Sequence, residues 1–170
     1  MHRAYPPWHP NMQNLGDIVI RPAEAGDALG IAHCLAAAFE PYRTAYSAGA
    51  FADTVPDGPG IAERLERMHV VVACSGGKIV GTLGGSLENG EGHLRGMAVL
   101  PEFRGSGLAA TLLRMTETWL RDNGCKHVTL DTTVPLQTAI RFYEKNGYRR
   151  SGRVEDYFGM ALVEYVKELV

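Results

Sequence analysis

Val99-Leu100-Pro101-Glu102-Phe103-Arg104-Gly105-Ser106-Gly107-Leu108-Ala109 is the stretch that decides the fold. The run before it, HLRGMAVL at 93–100, has strand character and stops at Pro101, which cannot donate to a ladder. A glycine-rich turn follows. Beyond it Leu108, Leu112, Leu113, Met115, Thr116, Trp119 and Leu120 recur at helical spacing as far as Asn123-Gly124. In this order the backbone amides of Gly105, Ser106, Gly107, Leu108 and Ala109 come to lie at a helix N-terminus. The unpaired N–H groups of a first turn and the positive end of the helix dipole make that place an anion site. Glycine lets a ligand approach the backbone with no Cβ in the way, and Arg104 adds a fixed charge. The turn lacks the Lys-Ser/Thr ending of a P-loop and the spacing of a dinucleotide-binding GxGxxG. An ordinary strand-to-helix turn has the same composition, so the surrounding chain has to decide.

Working outward, Ile18-Val19-Ile20 reads as a first strand, and 24–39 as a helix with Ala28, Ile31, Ala32, Leu35, Ala36 and Phe39 on one side, closed by Pro41. Residues 42–57 show no period, and 60–68 fit a short helix. Val70-Val71-Val72-Ala73 reads as a buried strand, Gly76-Gly77 as a hairpin turn and 78–87 as the return strand. A turn at Asn89-Gly90 leads into the strand at 93–100. After the long helix come a strand at 127–131, a helix at 136–146, a strand start at 147–150 and a final strand at 157–166. An antiparallel meander followed by a β-α-β-α-β passage predicts an α+β (mixed α/β) fold. The expected organisation is an irregular arm over residues 1–16 and a single domain over 17–170.

The chain has 170 residues, 45% of them hydrophobic and 21% charged, which is ordinary globular composition. Seventeen basic against nineteen acidic residues give a net charge of −2, which argues against a protein built on neutralising nucleic-acid phosphates. Three widely spaced cysteines, Cys34, Cys74 and Cys125, suggest neither a disulfide framework nor a zinc ribbon. No apolar run reaches the ~18 residues of a membrane span. The first 16 residues, with three prolines, lack the apolar stretch of a signal peptide. The expectation is a cytoplasmic protein with no membrane partner and no metal.

The strand HVTLD at 127–131 and the run Thr138-Ala139-Ile140-Arg141-Phe142-Tyr143-Glu144-Lys145-Asn146-Gly147-Tyr148 supply the missing context. With the loop they resemble the GCN5-related N-acetyltransferase (GNAT) family. Arg104-x-x-Gly107-x-Ala109, preceded by Met97-Ala98-Val99, is similar to its acetyl-CoA signature, and A-x-x-F-Y-E-K-x-G-Y to its later motif. The order of elements from Ile18 to Val166 agrees as well. The resemblance implies a central mixed, mostly antiparallel twisted sheet of about six to seven strands flanked by about four helices. It also implies that strands 93–100 and 127–131 run parallel and splay apart to form the cleft for the co-substrate acetyl-CoA.

On that resemblance the pantetheine arm pairs with the free edge of Met97, Ala98 and Val99, as an added strand would. The pyrophosphate rests on Arg104, Gly105, Ser106, Gly107, Leu108 and Ala109. An acceptor amine attacks the thioester, and the Val99 amide faces the carbonyl oxygen where charge develops. Tyr143 matches the family's general acid, since a phenol near pKa 10 can protonate a departing thiolate. Its other reading is a packed core aromatic. The base position falls on His93, with Glu91 two residues earlier and water as alternatives; His93 is chemically suited to take a proton from an ammonium. Many members carry a cofactor-binding asparagine where this chain has Leu136, for which Gln137, at the next position, is the candidate substitute.

Three further groups are open. Cys125, His127 and Asp131 invite a nucleophile or metal reading, although two residues on one strand face are too few for zinc. Arg149, Arg150 and Arg153 face a CoA phosphate, an acidic partner or solvent. Tyr42, Tyr46 and Phe51 line an amine pocket or pack a loop. The proline-rich arm and β-rich C-terminus are candidate elements of a homodimer. Two functions stand at this point: an acetyl-CoA-dependent N-acetyltransferase acting on a small-molecule or peptide amine, and a non-catalytic acyl-CoA-binding sensor or interaction module.

Overall fold

Val70 to Ala73 and Ile79 to Gly85 are buried without a break, as strands are when both faces of a sheet are covered. They are the centres of β3 (His69–Ser75) and β4 (Lys78–Glu88) in the computed structural model, which describes residues 13–170. The other strands are β1 (Gln13–Leu15), β2 (Ile18–Pro22), β5 (Glu91–Val99), β6 (His127–Thr133), β7 (Arg149–Tyr157) and β8 (Met160–Glu168). The helices are α1 (Ala28–Phe39), α2 (Ala48–Thr54), α3 (Gly58–Arg67), α4 (Leu108–Asp122) and α5 (Gln137–Lys145). One sheet runs in the order β1-β2-β3-β4-β5-β6-β8-β7. Every neighbouring pair is antiparallel except β5 and β6, which are parallel.

The layers follow from side-chain size. On one face of β4, Gly81 lies under Leu108 and Leu112, and Gly85 under Thr116, so α4 sits close to the sheet. Leu108, Leu112, Leu113 and Leu120 are buried there, each worth about 1.5–3 kcal/mol. Gly84 instead meets Met68 at the end of α3 on the opposite face. Glu117 of α4 is buried but paired. It accepts from the Tyr148 hydroxyl at 2.7 Å and from Lys167 Nζ at 3.0 Å, which ties α4 to β8 and to the end of α5.

Among the described residues the sheet has eight strands and five α-helices flank it, where periodicity predicts fewer of each. Residues 13–15 of the expected irregular arm are a strand, because Gly16 at φ +60° turns the chain so that Gln13–Leu15 pairs with Ile18–Ile20. The rest of that expectation, residues 1–12, lies outside the described residues. The expected last strand over 157–166 is β8 but begins only at Met160: the strand started at 147–150 runs on as β7 to Tyr157, and Phe158 (φ +51°) and Gly159 (φ +85°) reverse the chain between the two. β7 is an edge strand, exposed along nearly its whole length, so RRSGRVEDY carries no alternation to read. Residues 42–57, expected to be irregular, contain α2, whose N-cap Ser47 accepts from the Ala50 amide at 3.3 Å.

Candidate active site

β5 and β6 pair only from Glu91↔His127 to Leu94↔Leu130. Beyond that point both strands continue, β5 against β4 and β6 against β8, but no longer against each other. The cause is a bulge: between the pairs Gly84↔Arg95 and Thr82↔Ala98, β4 contributes Leu83 while β5 contributes Gly96 and Met97. Gly96 sits at φ +74°, the left-handed conformation a bulge of this kind demands. The extra residue bends β5 away and opens the sheet.

The bonding pattern fixes which groups face the opening. Leu100 N–H donates to Val80 O at 2.9 Å, toward β4. Bonding along an antiparallel ladder alternates, so Val99 turns its N–H and C=O to the other side, the edge β6 has left. A cavity of about 870 Å³ fills the gap, with Met97, Ala98 and Val99 in one wall and Thr132, Thr133 and Leu136 in the other.

At one end of this cavity stands the glycine turn. Arg104, Gly105, Gly107, Leu108 and Ala109 line it. Gly107, the N-cap of α4, is at φ +82° and offers no side-chain cap, and Gly105 is at φ +77°. Among the described residues no backbone acceptor takes the amides from Gly105 to Ala110. An uncapped helix N-terminus opening into a cleft is what an anion requires. The Leu108 side chain is core, so only its amide is available, and Ser106 points away, its hydroxyl donating to Phe103 O at 2.5 Å. Arg104 also reaches across to Ala38 O at 3.5 Å.

His93 and Asp131 meet where the strands part. The parallel register sets His93 opposite Thr129, and Asp131, two residues on, shares that face. Nδ1 of His93 lies 2.9 Å from Thr129 Oγ1, and that hydroxyl donates to Gly92 O at 3.3 Å. With its proton so placed, Thr129 accepts from Nδ1–H, and Nε2 is left as the basic nitrogen, 3.6 Å from Asp131 Oδ2. Burial raises the Asp131 carboxyl above its ordinary range, while His93 pulls it back. Glu91 is elsewhere: it is exposed, pairs with His127 at 3.4 Å and does not line the cavity.

Tyr143 is buried, packed edge-on between Phe142 and Tyr148, and part of the cavity wall. Among the described residues its hydroxyl makes no hydrogen bond, and burial pushes the phenol well above its ordinary range. Gln137 does not replace the asparagine missing at Leu136, because its amide donates to Val134 O at 2.6 Å outside the cavity. Cys125 and Asp131 do not come together: Cys125 is buried with Sγ on His127 O, while Asp131 faces His93. Among the described residues no three His, Cys, Asp or Glu gather as a ligand set. Arg150 and Arg153 bind Tyr165, Glu155 and Glu164, outside the cavity.

The end of the cavity opposite the glycine turn is walled by residues that sequence reasoning missed. Arg95 Nη2 donates to Asp53 Oδ2 at 2.7 Å, and that oxygen also accepts from the Tyr157 hydroxyl at 2.7 Å. Arg64 of α3 joins them. Tyr46 is buried with its hydroxyl 2.6 Å from Thr133 Oγ1, and its ring meets Phe39 and Phe51 edge-on, fastening α2 over β6. Tyr46 therefore packs and lines at once. No helix among the described residues is long and apolar enough to cross a membrane.

The fold has known counterparts. The structure superposes on PaiA N-acetyltransferase from Thermoplasma acidophilum, solved in complex with coenzyme A, with a TM-score of 0.74 at 18% identity over 90% of this chain and 99% of that one. It is similar to the ribosomal-protein-S18-alanine N-acetyltransferase of Escherichia coli, with a TM-score of 0.72 at 18% identity over 89% and 94% of the two chains. These likenesses are of fold. In sequence the chain is 37% identical over 91 residues to "Probable N-acetyltransferase family 8 member 5" of Mus musculus, covering 50% of this chain and 40% of that protein. It is 34% identical over 83 residues to an uncharacterized N-acetyltransferase of Methanocaldococcus jannaschii, covering 48% and 53%. The match thus spans about half the length of these relatives or less. The profile of the Acetyltransferase (GNAT) family fits residues 31–148, and the chain belongs to that family.

Proposed function

We propose that this chain is an acetyl-CoA-dependent N-acetyltransferase that transfers the acetyl group directly to a primary amine. One observation carries the reading. A single cleft holds an uncapped helix N-terminus at one end, an unpaired strand edge in its wall, and a histidine–aspartate pair beside an unbonded tyrosine. Each matches a separate demand of acyl transfer from a thioester carried on a phosphorylated arm. The glycine turn binds the pyrophosphate through amides of residues 105–109, with Arg104 adding charge. The pantetheine lies along Met97, Ala98 and Val99, with the outward-facing backbone of Val99 turned to it.

The acceptor arrives as an ammonium and must lose a proton before it can attack. Nε2 of His93 takes it, and Asp131 stabilises the imidazolium. The amine nitrogen bonds to the thioester carbon, and the outward-facing Val99 amide meets the charge on oxygen. As the C–S bond breaks the electron pair leaves with sulfur, and Tyr143 donates its proton to the thiolate. The nitrogen's second proton restores Tyr143, so one proton reaches the thiol and one reaches solvent through His93.

A coupled thiol-release assay over a panel of primary amines, with acetylated product confirmed by mass, tests this reading. Expected is amine-dependent release with product gaining one acetyl group. Calorimetric CoA binding without release for any amine would replace it by the non-catalytic acyl-CoA binder, a reading to which the loss of the asparagine at Leu136 points.

A further inference from the structure

Arg64 stands in the last turn of α3 with its side chain in the cavity wall. Among the described residues its guanidinium has no hydrogen bond or ion pair. Burial, and secondarily the like charge of Arg95, lower it to about 10, with only partial compensation from the nearby charge of Asp53 and from Tyr157. An ionised group taken partly out of water with no acceptor is costly. The two carboxylates of the cavity wall are engaged elsewhere, Asp53 with Arg95 and Tyr157, Asp131 with His93. The position of Arg64 is equally definite. A Cβ built on Gly96 would lie 2.7 Å from its Nη1, so the guanidinium rests on the backbone of the bulge, between His93 and Val99 in the chain. The glycine turn that takes phosphate lies beyond Val99, so Arg64 is on the acceptor side of the reacting centre.

We propose that Arg64 is the carboxylate anchor of the acceptor: the amine acetylated here carries a carboxylate that docks on Arg64 while its amino group meets Nε2 of His93. The inference rests on the acetyltransferase reading. A guanidinium offers a planar fork that a carboxylate fills with two hydrogen bonds. Such a ligand supplies the acceptor that the protein does not. A polyamine does the reverse, bringing more positive charge beside Arg64 and Arg95, so the site selects against it. The same chemistry comes from two sources, the α-carboxylate of a free amino acid or an acidic side chain next to the amino terminus of a peptide.

The experiment compares wild type with Arg64→Gln and Arg64→Lys in the thiol-release assay. The probes are free amino acids, the matching amino-acid amides, and the dipeptide amides Ala-Glu-NH₂ and Ala-Gln-NH₂. Wild type is expected to favour the acid of a pair by at least about tenfold in kcat/KM, carried by KM. Preference among the free amino acids identifies the α-carboxylate, and preference for Ala-Glu-NH₂ the side chain. In Arg64→Gln the discrimination collapses, in Arg64→Lys part of it survives, and the CoA affinity of both variants stays at the wild-type value. Equal use of acids and amides by wild type, or a preference that survives in Arg64→Gln, overturns the inference. If no amine is acetylated, the acetyltransferase reading fails by itself. The same probes titrated into CoA-saturated protein then decide: Arg64-dependent binding of the acids upholds the anchor, and its absence removes it.

Discussion

Nε2 of His93 and Oδ2 of Asp131 lie 3.6 Å apart on two parallel strands, one residue to either side of Leu94↔Leu130, the last pair before those strands separate. The opening of the sheet and the charge pair are therefore products of one geometry. The pairing Leu94↔Leu130 holds the two side chains abreast, and the bulge at Gly96 then carries β5 away to leave room for substrate. Asp131 is only partly shielded from water, and it keeps its charge at an energetic cost because that desolvation raises the carboxyl.

That cost has a sign that can be measured. A carboxyl raised on folding binds its proton more tightly in the native state, so stability falls as pH rises from the ordinary Asp value of about 4. Asn cannot ionise. Asp131→Asn is expected to raise the melting temperature at pH 7.5, with the gain fading as the pH is brought below about 4. The same variant is expected to lower kcat by about tenfold, since the imidazolium loses its counter-charge. A variant less stable than wild type at pH 7.5 with unchanged kcat would show Asp131 to be an ordinary surface carboxylate.

The glycine turn yields a second test. Gly107 is at φ +82°, so any side chain there carries strain of about 1–2 kcal/mol. Open space lies where its Cβ would be. Gly107→Ala measures the strain alone, and Gly107→Glu adds negative charge at the amides. Calorimetry is expected to show CoA affinity reduced modestly in the first and by about 100-fold in the second. Equal affinities in the two variants would remove the phosphate from this turn.

Much of this was legible in the chain because the turn is a local device. Pro101, Gly105 and Gly107 fix strand end, turn and helix start within a few residues, and the amphipathic runs of α4 and α5 fix the rest of that half. On the acceptor side Tyr42 and Tyr46 were legible as lining candidates, but the charged residues were not, for a physical reason. Arg64, Asp53, Asp131 and Tyr157 come from α3, α2, β6 and β7, and no spacing in a sequence records their meeting across a sheet. Asp131 was visible only as a neighbour of Cys125 and His127, whereas its partner is set by the register of a parallel pair. α2 escaped notice because seven residues, AGAFADT, give too few turns for a period to emerge. Both strands of the β7–β8 hairpin are legible, but the turn that joins them is not, because Phe158-Gly159 lacks the Asn-Gly signature.

Glu117 gives a stability prediction independent of function. Its carboxylate is buried, and the Tyr148 hydroxyl and Lys167 Nζ satisfy it. Tyr148→Phe removes the hydroxyl and keeps the ring against Tyr143. A hydrogen bond to a charged group contributes about 1.5–3 kcal/mol, which corresponds to a melting-temperature loss of about 3–10 °C in a domain of this size. A loss below about 1 °C would mean that Lys167 alone satisfies the carboxylate.

Tyr143 separates chemistry from packing most sharply. Its ring is fixed by Phe142 and Tyr148, its hydroxyl has no partner among the described residues, and burial holds the phenol protonated through neutral pH. A group held so is a proton donor in waiting, because a thiolate in the cleft would be the first acceptor it meets. Tyr143→Phe keeps the packing and deletes the proton. General-acid catalysis is typically worth about 10²–10⁴-fold, and a thiolate is already a fair leaving group, so the low end of that range is expected in kcat. CoA affinity and melting temperature should stay near wild type, since no protein hydrogen bond is lost. The measurement pairs kcat with melting temperature on the same protein, using an amine that the panel has shown to be acetylated. Turnover within about threefold of wild type, whatever the stability, would leave the ring as packing and pass the thiolate's proton to water.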